Sequence, residues 1–121
     1  MSAWTWLGVA VLGGTGALIR FGVGLTVARR FGRAFPYGTL TINLTGAFAL
    51  GLLEGLGAST TTVTLAGTAT LGAYTTFSTW MLETERLAEE QDLSGAVLYV
   101  TVSVLAGFGA ALGGRALGLA L

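Results

Sequence analysis

Stretches of about twenty residues with almost no charge constrain this chain most, because a segment that long and that apolar matches the hydrocarbon thickness of a bilayer. Trp4 to Ala28 holds one charge, Arg20, and Thr62 to Leu82 and Ser94 to Gly114 hold none. Tyr37 to Gly57 carries only Glu54, close to its end. In a chain of 121 residues these segments leave room for short connections and little else. The reading is a single all-α membrane domain with four transmembrane helices over about residues 4–28, 37–57, 62–82 and 94–114. Composition agrees: 53% of the residues are apolar, 10% are charged and the mean hydropathy is +0.76, far from the balance of a soluble domain. Met1 to Trp4 offers neither a basic stretch nor a convincing cleavage site, so the first segment is read as a retained helix.

The same composition removes several kinds of chemistry. The chain has no Cys and no His, hence no thiolate metal site, no disulfide and none of the commonest side-chain bases at neutral pH. Its formal net charge is zero, which gives no electrostatic footprint for nucleic acid. The expectation is a protein that is not an enzyme and that works within a membrane. Arg29, Arg30 and Arg33 make the first connection basic, and Arg86 falls on the same side, against Arg115 on the other. The positive-inside rule then places the first and third connections in the cytoplasm, with a bias small enough to leave insertion in both orientations open.

The third segment is unusual for a spanning helix. Its centre reads Gly72-Ala73-Tyr74-Thr75-Thr76, a run of weak helix formers whose hydroxyls compete for backbone groups, so a local break is expected there. Phe77 and Trp80 follow three residues apart on one face, with Ser78 and Thr79 between them. In the second segment Asn43 is the only carboxamide within any span, and Thr39 lies one turn before it. Asn43 has two readings, as a hydrogen-bonded tie between helices or as a donor to a passing anion. In the fourth segment Tyr99 and Ser103 share a face, with Gly107 one turn further, either as packing or as a polar stripe. Arg20 lies roughly 12 Å from the expected end of its helix by helical rise, so it either snorkels to the interface or serves as a vestibule cation. Glu54 reads as an exposed residue at a helix end. Pairs of glycines four apart, Gly51/Gly55, Gly109/Gly113 and Gly114/Gly118, offer faces for close helix contact.

Taken in order, Gly13-Gly14-Thr15-Gly16-Ala17-Leu18-Ile19-Arg20-Phe21, Pro36-Tyr37-Gly38-Thr39-Leu40-Thr41-Ile42-Asn43 and Gly72-Ala73-Tyr74-Thr75-Thr76-Phe77-Ser78-Thr79 resemble the signature of the Fluc (CrcB) fluoride channels, and the resemblance covers essentially the whole chain. It implies an antiparallel, dual-topology dimer with two fluoride pores, in which each third-helix break meets its mate around a central structural sodium ion. By position, the backbone carbonyls of Gly72 and Thr75 would hold Na+. Asn43, Ser103 and Tyr99 match pore-lining polar positions, Phe77 the first ring of the aromatic box, and Arg20 the arginine of the first motif. The expected fluoride pathway therefore runs past Arg20, Thr39, Asn43, Phe77, Ser78, Thr79, Trp80, Tyr99 and Ser103. Two departures stand out: Trp80 occupies a position where the family usually has Phe, and Gly107 falls where a hydroxyl residue is usual.

The resemblance implies a multi-pass protein of the cell (inner) membrane that exports fluoride passively. Its expected partners are fluoride, membrane lipid and a second copy of the chain, or a different subunit in a heterodimer. The rival readings are a small multidrug-type proton-coupled exporter, which needs a membrane-embedded carboxylate, and a non-conducting subunit of a heterodimeric channel.

Overall fold

The computed structural model describes residues 1–90 and 92–121. Helix α1 spans Ala3–Phe31. Ser2 opens it by accepting the Thr5 N–H at 3.1 Å, the usual device for an orphan donor of the first turn. Gly32 closes it with φ at 79° and its N–H on the Ala28 carbonyl at 2.9 Å, a left-handed conformation that suits glycine. Helix α2, Tyr37–Gly55, starts after Pro36 and is stopped by Gly57 at φ 65°. Helix α3 covers residues 60–74 and is capped by Ser59, which accepts from the Thr62 N–H. Its middle, Val63–Leu71, is π-helical, and the Thr70 hydroxyl donates five residues back to the Leu65 carbonyl at 2.7 Å. Wide turns of this kind are rare and gather at functional sites. Helix α4 is Ser78–Glu90 and helix α5 is Asp92–Ala120. The charged stretch from Glu83 to Asp92 is helical up to Glu90 and includes Gln91, which lies outside the described residues.

Two helical stretches, Ala3–Phe31 and Leu93–Ala120, are long and apolar enough to cross a membrane. Only 6% and 11% of their most apolar windows are buried within the protomer. Core helices of a soluble protein would turn such surface inward, whereas here Leu18, Phe21, Leu105 and Phe108 all face out. Hydrocarbon is the solvent that this surface fits, and the chain is a membrane protein.

Glycine sets how closely the helices approach. On α2 and α5, Gly51, Gly55, Gly114 and Gly118 interleave, and a Cβ on any of them would run into the facing backbone: Ala111, Arg115, Phe48 and Leu52 carbonyl oxygens respectively. Backbones this close gain dispersion along their length, which is what holds helices together where lipid removes the hydrophobic drive. Glu54 and Arg115 add an exposed ion pair of 3.5 Å at the end of this seam, of small energetic weight. The pair Gly109/Gly113 has the same spacing but nothing within 4 Å, so equal spacing marks a face without naming its partner. On α1, Gly16 is buried against the Thr70 backbone of α3, and Gly38 of α2 sits on Gly24 of α1. A small core of Leu87, Ala96 and Tyr99, flanked by Phe35, Leu40 and Trp80, joins α4 to α5.

Candidate functional site

Between α3 and α4 the chain leaves helical geometry. Tyr74 is the last helical residue, Thr75 takes extended angles of φ −77° and ψ 160°, and helix resumes at Ser78. A helix end inside a membrane strands backbone donors and acceptors that hydrocarbon cannot satisfy, so the protein must supply partners. It does so from the two neighbouring helices. The Asn43 side chain grips Thr76 at both ends of its carboxamide, Nδ2 donating to the Thr76 carbonyl and Oδ1 accepting its N–H, each at 2.9 Å. Arg20 donates from Nη1 to the Thr75 carbonyl at 3.5 Å. Thr75 ties back to α3, its N–H and its hydroxyl both on the Leu71 carbonyl at 2.9 Å. Thr76 opens α4, its hydroxyl accepting the Thr79 N–H at 3.3 Å.

One face of α2 receives all of this. Thr39, Asn43 and Gly46 follow at helical spacing. Thr39 is buried and donates its hydroxyl to Glu83 of α4, Asn43 holds Thr76, and Gly46 leaves the space that the Thr75 methyl and the Tyr74 ring fill. The Tyr74 hydroxyl reaches Thr45 at 2.8 Å. A regular helix would give the Gly72 carbonyl the N–H of Thr76; because Asn43 takes that N–H, the Gly72 carbonyl loses its ordinary donor. Asn43 and Gly46 sit near the middle of α2, and Gly16 and Arg20 near the middle of α1. The break is therefore held at mid-depth of the bundle.

Thr79, Glu83 and Arg86 line a cleft of about 590 Å³ together with Arg20, Arg33 and Thr39. Arg86 is fixed there by Glu90 at 3.3 Å and by the Arg33 carbonyl at 3.1 Å. Beside them Trp80 and Leu87 turn toward α5. There the Trp80 indole N–H and the hydroxyls of Tyr99 and Ser103 are buried without a hydrogen-bonding partner. Phe77 is 69% exposed and meets Trp80 edge to face, ring centres 5.7 Å apart.

The expected pathway residues are thus distributed over connected places. Arg20, Thr39 and Thr79 line the cleft, Asn43 holds the break, and Phe77 and Ser78 stand exposed at the start of α4. Trp80, Tyr99 and Ser103 each carry a buried polar atom without a hydrogen-bonding partner. Of the two readings of Arg20, the guanidinium turns inward to the break instead of along its own helix to the interface. Asn43 is tied to backbone, the first of its two readings. Glu83 was not among the expected site residues, since its charge placed it outside the span. Its spacing of four residues from Thr79 and three from Arg86, one turn to either side on a single face, was the signal available. Among the described residues no group of three or more acidic, His or Cys side chains could hold a metal ion.

The family described as "CrcB-like protein, Camphor Resistance (CrcB)" matches residues 7–115. A relative from Mycobacterium tuberculosis named "Fluoride-specific ion channel FluC 2" is 54% identical over 110 residues, covering 91% of this chain and 87% of its own. One of the same name from Mycolicibacterium paratuberculosis is 55% identical over 112 residues, covering 93% and 92%. "Fluoride-specific ion channel FluC" of Allorhizobium ampelinum is 40% identical over 115 residues, covering 91% and 92%. The matched stretch takes in the α1 arginine, the Asn43 clamp, the break and all of the α2–α5 seam except Gly118, and on that ground the chain belongs to the CrcB-like protein family.

Proposed function

We propose that this protein is a fluoride-specific channel of the cell membrane, passing fluoride outward down its electrochemical gradient. The observation that carries the reading is the set of buried donors without partners, Trp80, Tyr99 and Ser103, beside a mid-depth helix break. Fluoride is small and strongly hydrated, so a pore must exchange its water for hydroxyl, amide and ring-edge donors. The pathway runs from the cleft, where Arg20 draws the anion in, past Thr39, Thr79, Ser78 and Asn43. It continues along Phe77 and Trp80 to Tyr99 and Ser103. Passive conduction takes its energy from the membrane potential.

The polar backbone of the break cannot face hydrocarbon without cost. A second copy of the chain covers it in this reading, as an antiparallel homodimer whose two-fold axis brings the two breaks together. The carbonyl end of α3 presents partial negative charge and the N-terminal end of α4 partial positive charge. Sodium fits the first: the carbonyls of Gly72, freed of its usual donor, and of Thr75 would hold it, two from each copy, as a structural ion that screens the opposed carbonyl ends. Replacing sodium by N-methylglucamine during purification and assay should lower flux and dimer recovery together. Thr75→Ala, which keeps the carbonyl, should retain that sodium dependence. Loss of the dependence in this variant would assign the ligand to the hydroxyl.

Phe77→Ile should cut fluoride flux at least tenfold while the protein still elutes as a dimer, because it removes a ring edge and keeps an apolar side chain. Flux at the wild-type level would exclude a ring-edge path. A proton-coupled exporter is favoured by one observation, the Glu83 carboxylate facing the cleft. Fluoride release from proteoliposomes under a potassium diffusion potential separates the two. A channel follows the potential and continues when a protonophore collapses the pH gradient; release that requires the pH gradient would establish an exporter.

A further inference from the structure

The chain carries six basic residues, and the side chains of three have no acidic partner within the protomer. Arg20 donates to the break, Arg86 meets Glu90 and Arg115 meets Glu54. Arg29, Arg30 and Arg33 stand exposed within five residues of one another, and among the described residues none of them forms an ion pair. Arg29 and Arg30 lie in the last turn of α1, where positive charge suits the helix dipole. Arg33 lies past the end of the helix, beyond Gly32 at φ 79°, and the dipole gives no reason for it. Arg86 donates to the Arg33 carbonyl at 3.1 Å, which holds the backbone there against α4 and leaves the Arg33 guanidinium free. The acids Glu85 and Glu89 lie on another face of α4 from Glu83, Arg86 and Glu90, and Glu90 is taken up by Arg86. The surroundings of the three arginines are those of a membrane surface. Phe31 and Tyr37 are exposed with ring centres 6.0 Å apart, and Phe35 lies 4.9 Å from Tyr37. Aromatic rings gather at headgroup level. From there α1 runs inward with Phe21 and Leu18 exposed, an apolar wall for acyl chains.

We propose that Arg29, Arg30 and Arg33, with the exposed rings of Phe31 and Tyr37, form a binding site for the headgroup of an anionic phospholipid at the connection between α1 and α2. Guanidinium groups match phosphate oxygens with paired, charge-assisted hydrogen bonds, so three unpaired ones in a short turn fit a phosphodiester. A soluble oxyanion would use the charges alone, whereas a phospholipid also uses the rings and the apolar wall of α1. Basic residues at the end of a spanning helix attract anionic lipid by about fivefold each. The site goes beyond fluoride passage and does not depend on it.

The test titrates the full chain in detergent with phosphatidylglycerol and, separately, with phosphatidylcholine of the same acyl chains, and counts bound lipid by native mass spectrometry. The wild type should bind phosphatidylglycerol about tenfold more tightly or better. Replacing all three arginines by glutamine should abolish that preference, with circular dichroism of the same preparation confirming helix content. Arg33→Gln alone, which keeps the charges of the α1 end, should lower the preference about fivefold. Arg115→Gln, which breaks the exposed pair with Glu54 at the opposite end of the bundle, should keep the wild-type preference. Equal binding of the two lipids by the wild type would overturn the proposal, and so would an unchanged preference in folded Arg33→Gln protein. An equal loss in Arg115→Gln would overturn it too, by showing that overall charge and not this site selects the lipid. Displacement of phosphatidylglycerol by millimolar inorganic phosphate would overturn the lipid assignment in favour of a soluble oxyanion. Fluoride release from proteoliposomes is a separate measurement, so failure of the lipid site and failure of the channel reading are told apart.

Discussion

Asn43→Ala should lower fluoride flux by at least an order of magnitude while leaving most of the helix content in place. The wild-type carboxamide satisfies both the N–H and the carbonyl of Thr76 at 2.9 Å. Truncation orphans both, at about 1–3 kcal/mol each when buried. The helices on either side depend little on that bond, because α3 has its own cap at Ser59 and α4 is joined to α5 through Leu87, Ala96 and Tyr99. The damage falls on the break, where Thr76 also caps α4 through the Thr79 N–H. Loss of about 1.4 kcal/mol already reduces the ratio of ordered to disordered break about tenfold. Flux in proteoliposomes, read beside circular dichroism of the same preparation, separates a disordered break from an unfolded protein. Wild-type flux from Asn43→Ala would mean that the clamp is dispensable for conduction.

Gly114→Val should have the largest effect on stability. Gly114 lies on the Phe48 carbonyl, with the Leu52 backbone nitrogen 3.0 Å from where its Cβ would sit. The obstacle is backbone, which cannot swing aside as a side chain does. Overpacking of a tight core costs about 1–3 kcal/mol and occasionally more. Here α2 must move off α5 as a body, which also loosens Gly51, Gly55 and Gly118 along the seam. A fall in thermal midpoint on the order of 10 °C is expected, with loss of the monodisperse species on size-exclusion chromatography. Gly109→Ala, where nothing lies within 4 Å inside the protomer, leaves this seam untouched. Equal midpoints for Gly114→Val and the wild type would show that the seam does not set stability.

What the sequence made legible was what depends on one segment at a time. Helical and membrane character follow from apolar runs, as in Ala3–Phe31 and Leu93–Ala120. Asn43 stood out because a carboxamide in a span needs partners, and Thr39 shared its face. Its partner, Thr76, lies 33 residues away, and no local spacing reports that. The glycine pairs illustrate the same limit: Gly51/Gly55 meets Gly114/Gly118, while Gly109/Gly113 with identical spacing meets nothing in the protomer. Arg20 had two readings because helical rise fixes depth but not direction, and the direction comes from the Thr75 carbonyl of another helix. Glu83 was passed over because charge was taken to mark the end of a span, whereas α4 continues through it and Thr39 supplies it with a donor. The π-helical Val63–Leu71 left no mark in composition, and its Thr70 backbone packs on Gly16 of another helix.

The central claim is selective, passive passage of fluoride, and the most direct measurement is ion release from liposomes holding the purified wild-type chain. Vesicles loaded with potassium fluoride and potassium chloride, diluted into an impermeant salt and opened to potassium with valinomycin, report both anions through ion-selective electrodes. Fluoride should leave promptly while chloride stays inside until detergent is added. Retention of both anions, or their release together, would contradict the account.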